Sequence, residues 1–223
     1  MSPRLILSAC LLMLAHGAHA LSETEAALPP ASPTASAPIH STSPGFHFFI
    51  SGGLTYGGDT LYKAVYTNGG SSNIKAGSLL QGGLGGLYQL TDQPLAFLLS
   101  ANMHFDAASG SNGTVLFSRF PIEALAYYTG KERLRIGGGV RLVSGAETTA
   151  KVNGVTETMT FDNTRGLVAE IGYQLSSEGW LNFRIVSEKY QGKTFQDSTG
   201  IYSMAGTSPY SGSHLGVNFL YQF

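Results

Sequence analysis

From Phe46 to the end of the chain, apolar and polar or small residues alternate in segments. The last segment is the clearest. Leu215, Val217, Phe219, Tyr221 and Phe223 interleave with His214, Gly216, Asn218, Leu220 and Gln222. In a strand these two sets face opposite sides. The same period predicts strands over about 46–57, 74–90, 95–106, 115–128, 133–143, 165–175 and 180–190. In the third of these, Leu95, Phe97, Leu99, Ala101, Met103 and Phe105 share one face, with Ser100, Asn102, His104 and Asp106 on the other. Connections alternate as well. Those at 91–94, 130–132 and 176–179 are short, while 57–73, 107–114, 144–164 and 191–212 are long, polar and rich in Gly, Ser, Thr and Asn.

Composition decides where the apolar faces point. Charged residues make up 12% of the chain, about half of the roughly 25% usual in soluble domains. There are 29 glycines, aromatics reach 11%, and mean hydropathy is only +0.05. Long apolar helices are therefore not expected, and an oily outer face over a polar inner one is. The predicted fold is all-β: an eight-stranded antiparallel transmembrane up-and-down β-barrel. Closure follows from physics, because an open edge in hydrocarbon leaves N–H and C=O groups unpaired at several kcal/mol each. Short turns on one side and long loops on the other fit the plan of such barrels. A secreted soluble barrel with its apolar residues inside is the alternative. The net charge of −1 argues against a nucleic-acid partner.

The first 45 residues have a different character. Arg4, the apolar run Leu5 to Ala15 and the small-residue site Ala18-His19-Ala20 predict a signal peptide over 1–20. Leu7 to Cys10 has the outline of a lipobox, but only Leu5 and Ile6 separate it from Arg4, so cleavage after Ala20 is expected. The mature chain then has no cysteine. Residues 21–45 are dominated by Pro, Ala, Ser and Thr and predict a disordered linker. The barrel domain is expected over 46–223.

Four stretches carry a resemblance: FISGGLTYGGDTLY, IKAGSLLQGGLGGLYQL, FSRFPIEALAYY and the closing VNFLYQF. With them, the run from Phe46 to Phe223 resembles small eight-stranded outer-membrane proteins of the outer membrane protein β-barrel domain type. The aromatic row Phe219, Tyr221, Phe223 resembles the assembly signal of bacterial outer-membrane barrels. The resemblance implies the Gram-negative cell outer membrane, contact with its lipid and lipopolysaccharide, and engagement of the barrel-assembly machinery through the last strand. It implies no single activity.

Candidate chemistry lies on the inward faces. Arg119, Glu123, Arg135, Arg141, Glu170, Arg184 and Glu188 share inward parity. An eight-stranded barrel is only wide enough for side chains to fill it, and buried charges must be paired. Arg119 and Glu123 are four residues apart on one strand, about 13 Å, so each needs partners from other strands. A lumen charge network, with Arg119 on a carboxylate from another strand, is expected. Near the loop end, His104, Asp106 and His214, with Glu188, form a weaker polar rim cluster that a metal or acid–base role would require to converge. Ser211, Ser213 and His214 invite a lipid-modifying enzyme reading, but no family motif supports it. Catalytic residues, metal ligands and cofactors are not expected. The expected role is a structural or surface-interaction scaffold acting through four external loops toward an unidentified ligand, with Tyr202, Met204, Pro209 and Tyr210 as a contact patch. A small passive pore is the main alternative.

Overall fold

A computed structural model describes residues 42–65 and 69–223. The expected signal peptide, and the expected linker as far as residue 41, lie outside the described residues. The strands, in chain order, are β1 (Gly45–Gly57), β2 (Thr60–Val65), β3 (Ser71–Lys75), β4 (Leu79–Gln89), β5 (Leu95–Gly110), β6 (Gly113–Lys131) and β7 (Leu134–Val152). They continue with β8 (Val155–Phe161), β9 (Thr164–Gln174), β10 (Gly179–Tyr190), β11 (Gly192–Gln196), β12 (Ile201–Ser203), β13 (Tyr210–Ser211) and β14 (His214–Gln222).

Eight of these are the staves of a barrel. β1, β4, β5, β6, β7, β9, β10 and β14 pair antiparallel in that order, and β14 pairs with β1 to close the sheet. The register sets its shape. From Leu95 the paired residues run Tyr128, Ile136, Ile171, Phe183, Val217, Leu54, Leu80 and back to β5 at Phe105, a displacement of 10 residues. That shear tilts the strands by about 43° and gives a narrow barrel.

The barrel is inside-out relative to a soluble protein. Leu54, Leu84, Leu99, Leu167 and Ile185 are exposed on its outer face, while Arg119, Arg135, Arg141 and Glu188 are buried within it. An apolar belt outside and charges inside is the arrangement hydrocarbon demands. The chain is a transmembrane β-barrel, and the soluble alternative is set aside.

Two expectations need correction. The second strand starts at Leu79, not 74, because Ile74 belongs to the β2–β3 hairpin. The stretches 107–114 and 144–164 are not loops. β5 to β7 run on past the belt, and β8, β11 and β12 extend them into a sheet above the barrel. There the outer face meets water, so Glu147, Thr149 and Lys151 point outward and Ala146, Thr148 and Ala150 inward. A bulge at Gly145 (φ +59°), between the pairs Phe120–Ser144 and Ser118–Glu147, also shifts the phase of the alternation. The missed cue was Asn153-Gly154. Both have positive φ (51° and 80°) and join β7 to β8 in a two-residue hairpin.

Two apolar cores fill the structure. Phe49, Leu87, Leu98, Leu125, Tyr127 and Trp180 belong to the one inside the barrel toward its short-turn end. Ile74, Phe117, Ala146, Ala150, Phe161 and Tyr190 belong to the second, over the opposite mouth, where the hairpin's Leu61 and Tyr62 pack on it.

Candidate functional site

All seven inward charges converge in one chain of contacts. Arg119 Nη1 donates to Glu188 Oε1 across the lumen at 2.6 Å. Arg141 Nε lies 3.3 Å from Glu188 Oε2, and Arg141 Nη1 lies 3.6 Å from Glu123 Oε1. Arg184 Nη2 donates to Glu123 Oε2 at 2.6 Å, and its Nε lies 3.5 Å from Glu170 Oε2. Arg135 ends the chain, 4.0 Å from Glu170, donating to Asn182 Oδ1 at 3.0 Å and stacked over Trp180 and Tyr127. Tyr127 OH donates to Glu170 at 2.8 Å.

Glycines make room for this ladder. On one side, the cross-strand partners of Arg135, Arg141 and Arg184 are Gly172, Gly166 and Gly216, while Arg141 and Arg184 face Glu123 and Glu170 on the other. A Cβ on Gly172 would stand 2.9 Å from Arg135 Cγ, and one on Gly166 would stand 3.1 Å from Arg141 Cγ. Gly172→Ala is therefore expected to lower stability by about 1–3 kcal/mol through overpacking. Gly82→Ala, whose Cβ meets nothing nearer than 3.6 Å, is expected to be neutral. Denaturant titration of the folded barrel in lipid vesicles checks both, and equal losses would show that the glycines do not accommodate the ladder.

The ladder narrows the lumen. A cavity beside Ser51, Ser100, Glu123, Glu170, Arg184 and Asn218 leaves about 10 Å³ for a water centre, roughly one molecule. Above it the β2–β3 hairpin covers the mouth. Arg119 Nη1 donates to the Ala76 carbonyl at 2.5 Å and also reaches the Tyr190 hydroxyl. Lys75 N–H donates to Asp106 Oδ2 at 2.9 Å. Asp106 therefore anchors the cap and does not join the histidines.

His104 and His214 do meet, edge to face with ring centroids 5.4 Å apart. A guanidinium only donates, so His104 Nδ1 accepts from Arg119 Nη2 at 2.5 Å, and His104 Nε2–H donates to the Ser78 carbonyl at 3.0 Å. His214 Nδ1–H donates to the Gly212 carbonyl at 2.7 Å, with Glu188 at 3.8 Å. Ser213 Oγ contacts the Glu188 backbone, so it makes no Ser–His pair with His214. Among the described residues no group of three or more His, Cys, Asp or Glu is arranged to hold a metal ion.

The remaining candidates are dispersed. Phe219, Tyr221 and Phe223 face outward at the short-turn end of the β14 line. Tyr202 is exposed on β12, but Tyr210 turns in against Phe161 at 5.9 Å and Met204 lies over Gly192, so the expected contact patch is divided.

No protein-family model and no curated protein matches the chain. Among solved structures it is similar to Neisserial surface protein A, at 12% identity and TM-score 0.46, covering 80% of this chain and 97% of that one. It is similar to Ail, the attachment invasion locus protein of Yersinia pestis, at 8% identity and TM-score 0.47, covering 81% and 100%. The outer membrane protein OprG from Pseudomonas aeruginosa matches at 17% identity and TM-score 0.43, covering 83% and 99%.

Proposed function

We propose that this chain is a non-conducting barrel of the Gram-negative outer membrane whose upper sheet is a surface-interaction scaffold. The observation that carries the reading is the lumen, filled from Arg135 to Arg119 by paired charges and roofed by the β2–β3 hairpin. A rigid barrel that transmits nothing is suited to holding other surfaces in place. The upper sheet, not four flexible loops, is the contact element in this reading. Its outward face carries Thr149, Thr158 and Gln196 in register, and Ile201 and Tyr202 stand exposed at its β12 edge. The outward row Phe219, Tyr221 and Phe223, on the strand that closes the barrel, is read as the contact for the assembly machinery.

Planar-bilayer recording tests the central claim. Purified wild-type protein is expected to give no steady conductance. Reproducible single-channel currents would overturn the scaffold reading in favour of a pore. On cells, replacing β8, β11 and β12 by short turns is expected to leave the barrel folded and reduce surface adhesion. Unchanged adhesion would remove the upper sheet from the proposal.

A further inference from the structure

The outward face of the barrel carries no charge through the apolar belt. On the staves the first charges met at the upper rim are Arg165 on β9 and Lys189 on β10. They are cross-strand neighbours. The paired register ends at Glu188 and Gly166, Lys189 and Arg165 are the next residues on the two strands, and Thr164 Oγ1 donates to the Lys189 carbonyl at 2.5 Å. Both side chains are exposed, and among the described residues neither forms an ion pair. Of the carboxylates on adjoining turns, neither Asp162 nor Asp59 forms an ion pair among the described residues, and Asp59 accepts the Ser211 N–H at 2.7 Å. Like charges directly opposite across two strands are unfavourable unless an anion lies between them. A third cation stands further along the same rim, with Lys75 Nζ 4.5 Å from the Tyr56 ring centroid.

Directly below the pair the apolar surface is hollow. A depression of about 470 Å³ is lined by Val140, Leu167, Ala169, Ile185 and Ser187. Leu167 and Ser187 are each two residues below the cations, on the same outward faces. The floor is low because Ala169 is small between the longer Leu167 and Ile185. Two unpaired cations over an apolar trough are complementary to an amphiphile with an anionic head and acyl tails.

From this geometry we propose that Arg165 and Lys189 clamp a phosphate of a phosphorylated glycolipid of the outer leaflet, with one of its acyl chains along the Ala169 trough. A guanidinium binds phosphate through two parallel N–H bonds and an ammonium adds a point charge. The site rests on the outer-membrane reading, which puts this rim at the outer leaflet.

Native mass spectrometry of the full-length folded barrel in neutral detergent, titrated with lipid A, tests it. Wild type is expected to hold one lipid A. Arg165→Ala with Lys189→Ala is expected to weaken binding at least tenfold without changing heat-modifiable gel mobility. Arg165→Glu, which supplies Lys189 with an ion-pair partner, is expected to abolish binding in a fully folded barrel. Equal affinity in the double variant, or equal affinity for dephosphorylated lipid A, would overturn the site. Competition by inorganic phosphate at matching concentration would replace the lipid by a free anion and overturn it too. Protein that folds in plain buffer would overturn the membrane reading itself, and that outcome is read separately from lipid binding.

Discussion

Glu188→Ala is expected to lower the unfolding free energy by about 3–5 kcal/mol, the cost of leaving a buried partner charge uncompensated. Glu188 is fully buried and faces two guanidiniums, Arg119 at 2.6 Å and Arg141 at 3.3 Å. It also accepts the Tyr190 hydroxyl at 2.8 Å. Its removal strands Arg119 and leaves Arg141 only Glu123, at 3.6 Å, in a lumen whose neighbouring cavity holds about 10 Å³ of water-accessible space, too little to hydrate them. Arg119 also holds the cap through Ala76, so the hairpin should loosen with it. Glu188→Gln keeps the acceptor and loses the charge, and its loss should be intermediate. Arg119→Met with Glu188→Leu removes both members of one pair, and its loss should be smaller than that of Glu188→Ala. Trp180, the single tryptophan, is fully buried against Arg135 and reports unfolding by fluorescence in lipid vesicles. A loss under about 1 kcal/mol for Glu188→Ala would mean that water enters the ladder freely, against the closed-lumen reading.

Phe183→Arg is expected to cost about 2–4 kcal/mol, the range for a cationic side chain at the bilayer midplane. The register line rises in eight steps from Leu95 beside a short turn to Phe105 at the upper rim, and Phe183 is the fourth step. Its side chain is about half exposed on the outer face. Ile136 faces outward too, yet it is only the second step. An arginine there can extend its stem toward the lower interface and keep its head hydrated, so Ile136→Arg should cost clearly less. Leucine at either position should be tolerated. Denaturant titration of both variants in one lipid decides the matter. Equal costs would contradict the tilt derived from the register, and no cost at either would contradict the lipid-facing parity.

Depth is one of several properties that alternation alone does not contain. Period two assigns each residue to a face, and that assignment was legible for every stave: Leu167, Ala169 and Ile171 outward, Glu170 inward. It also placed all four arginines and three glutamates in the lumen and required Arg119 to find its partner on another strand. It could not say that the partner is Glu188, because contact across a lumen depends on shear, and shear belongs to the closed sheet. The same holds for the glycines opposite Arg135, Arg141 and Arg184, which are neighbours only in register. The upper sheet is not legible from alternation because its outer face meets water: the apolar cue vanishes there, and only Asn153-Gly154 marks the hairpin.

The sequence by itself determined the number of staves, their faces and the need to close, because unpaired backbone in hydrocarbon is too costly and each strand carries its own alternation. The tertiary structure decided which charges meet, how deep each side chain lies, where the strands continue past the belt, and that β2–β3 caps the mouth. Those are relations between segments distant in the chain, fixed by the register in which the last strand meets the first.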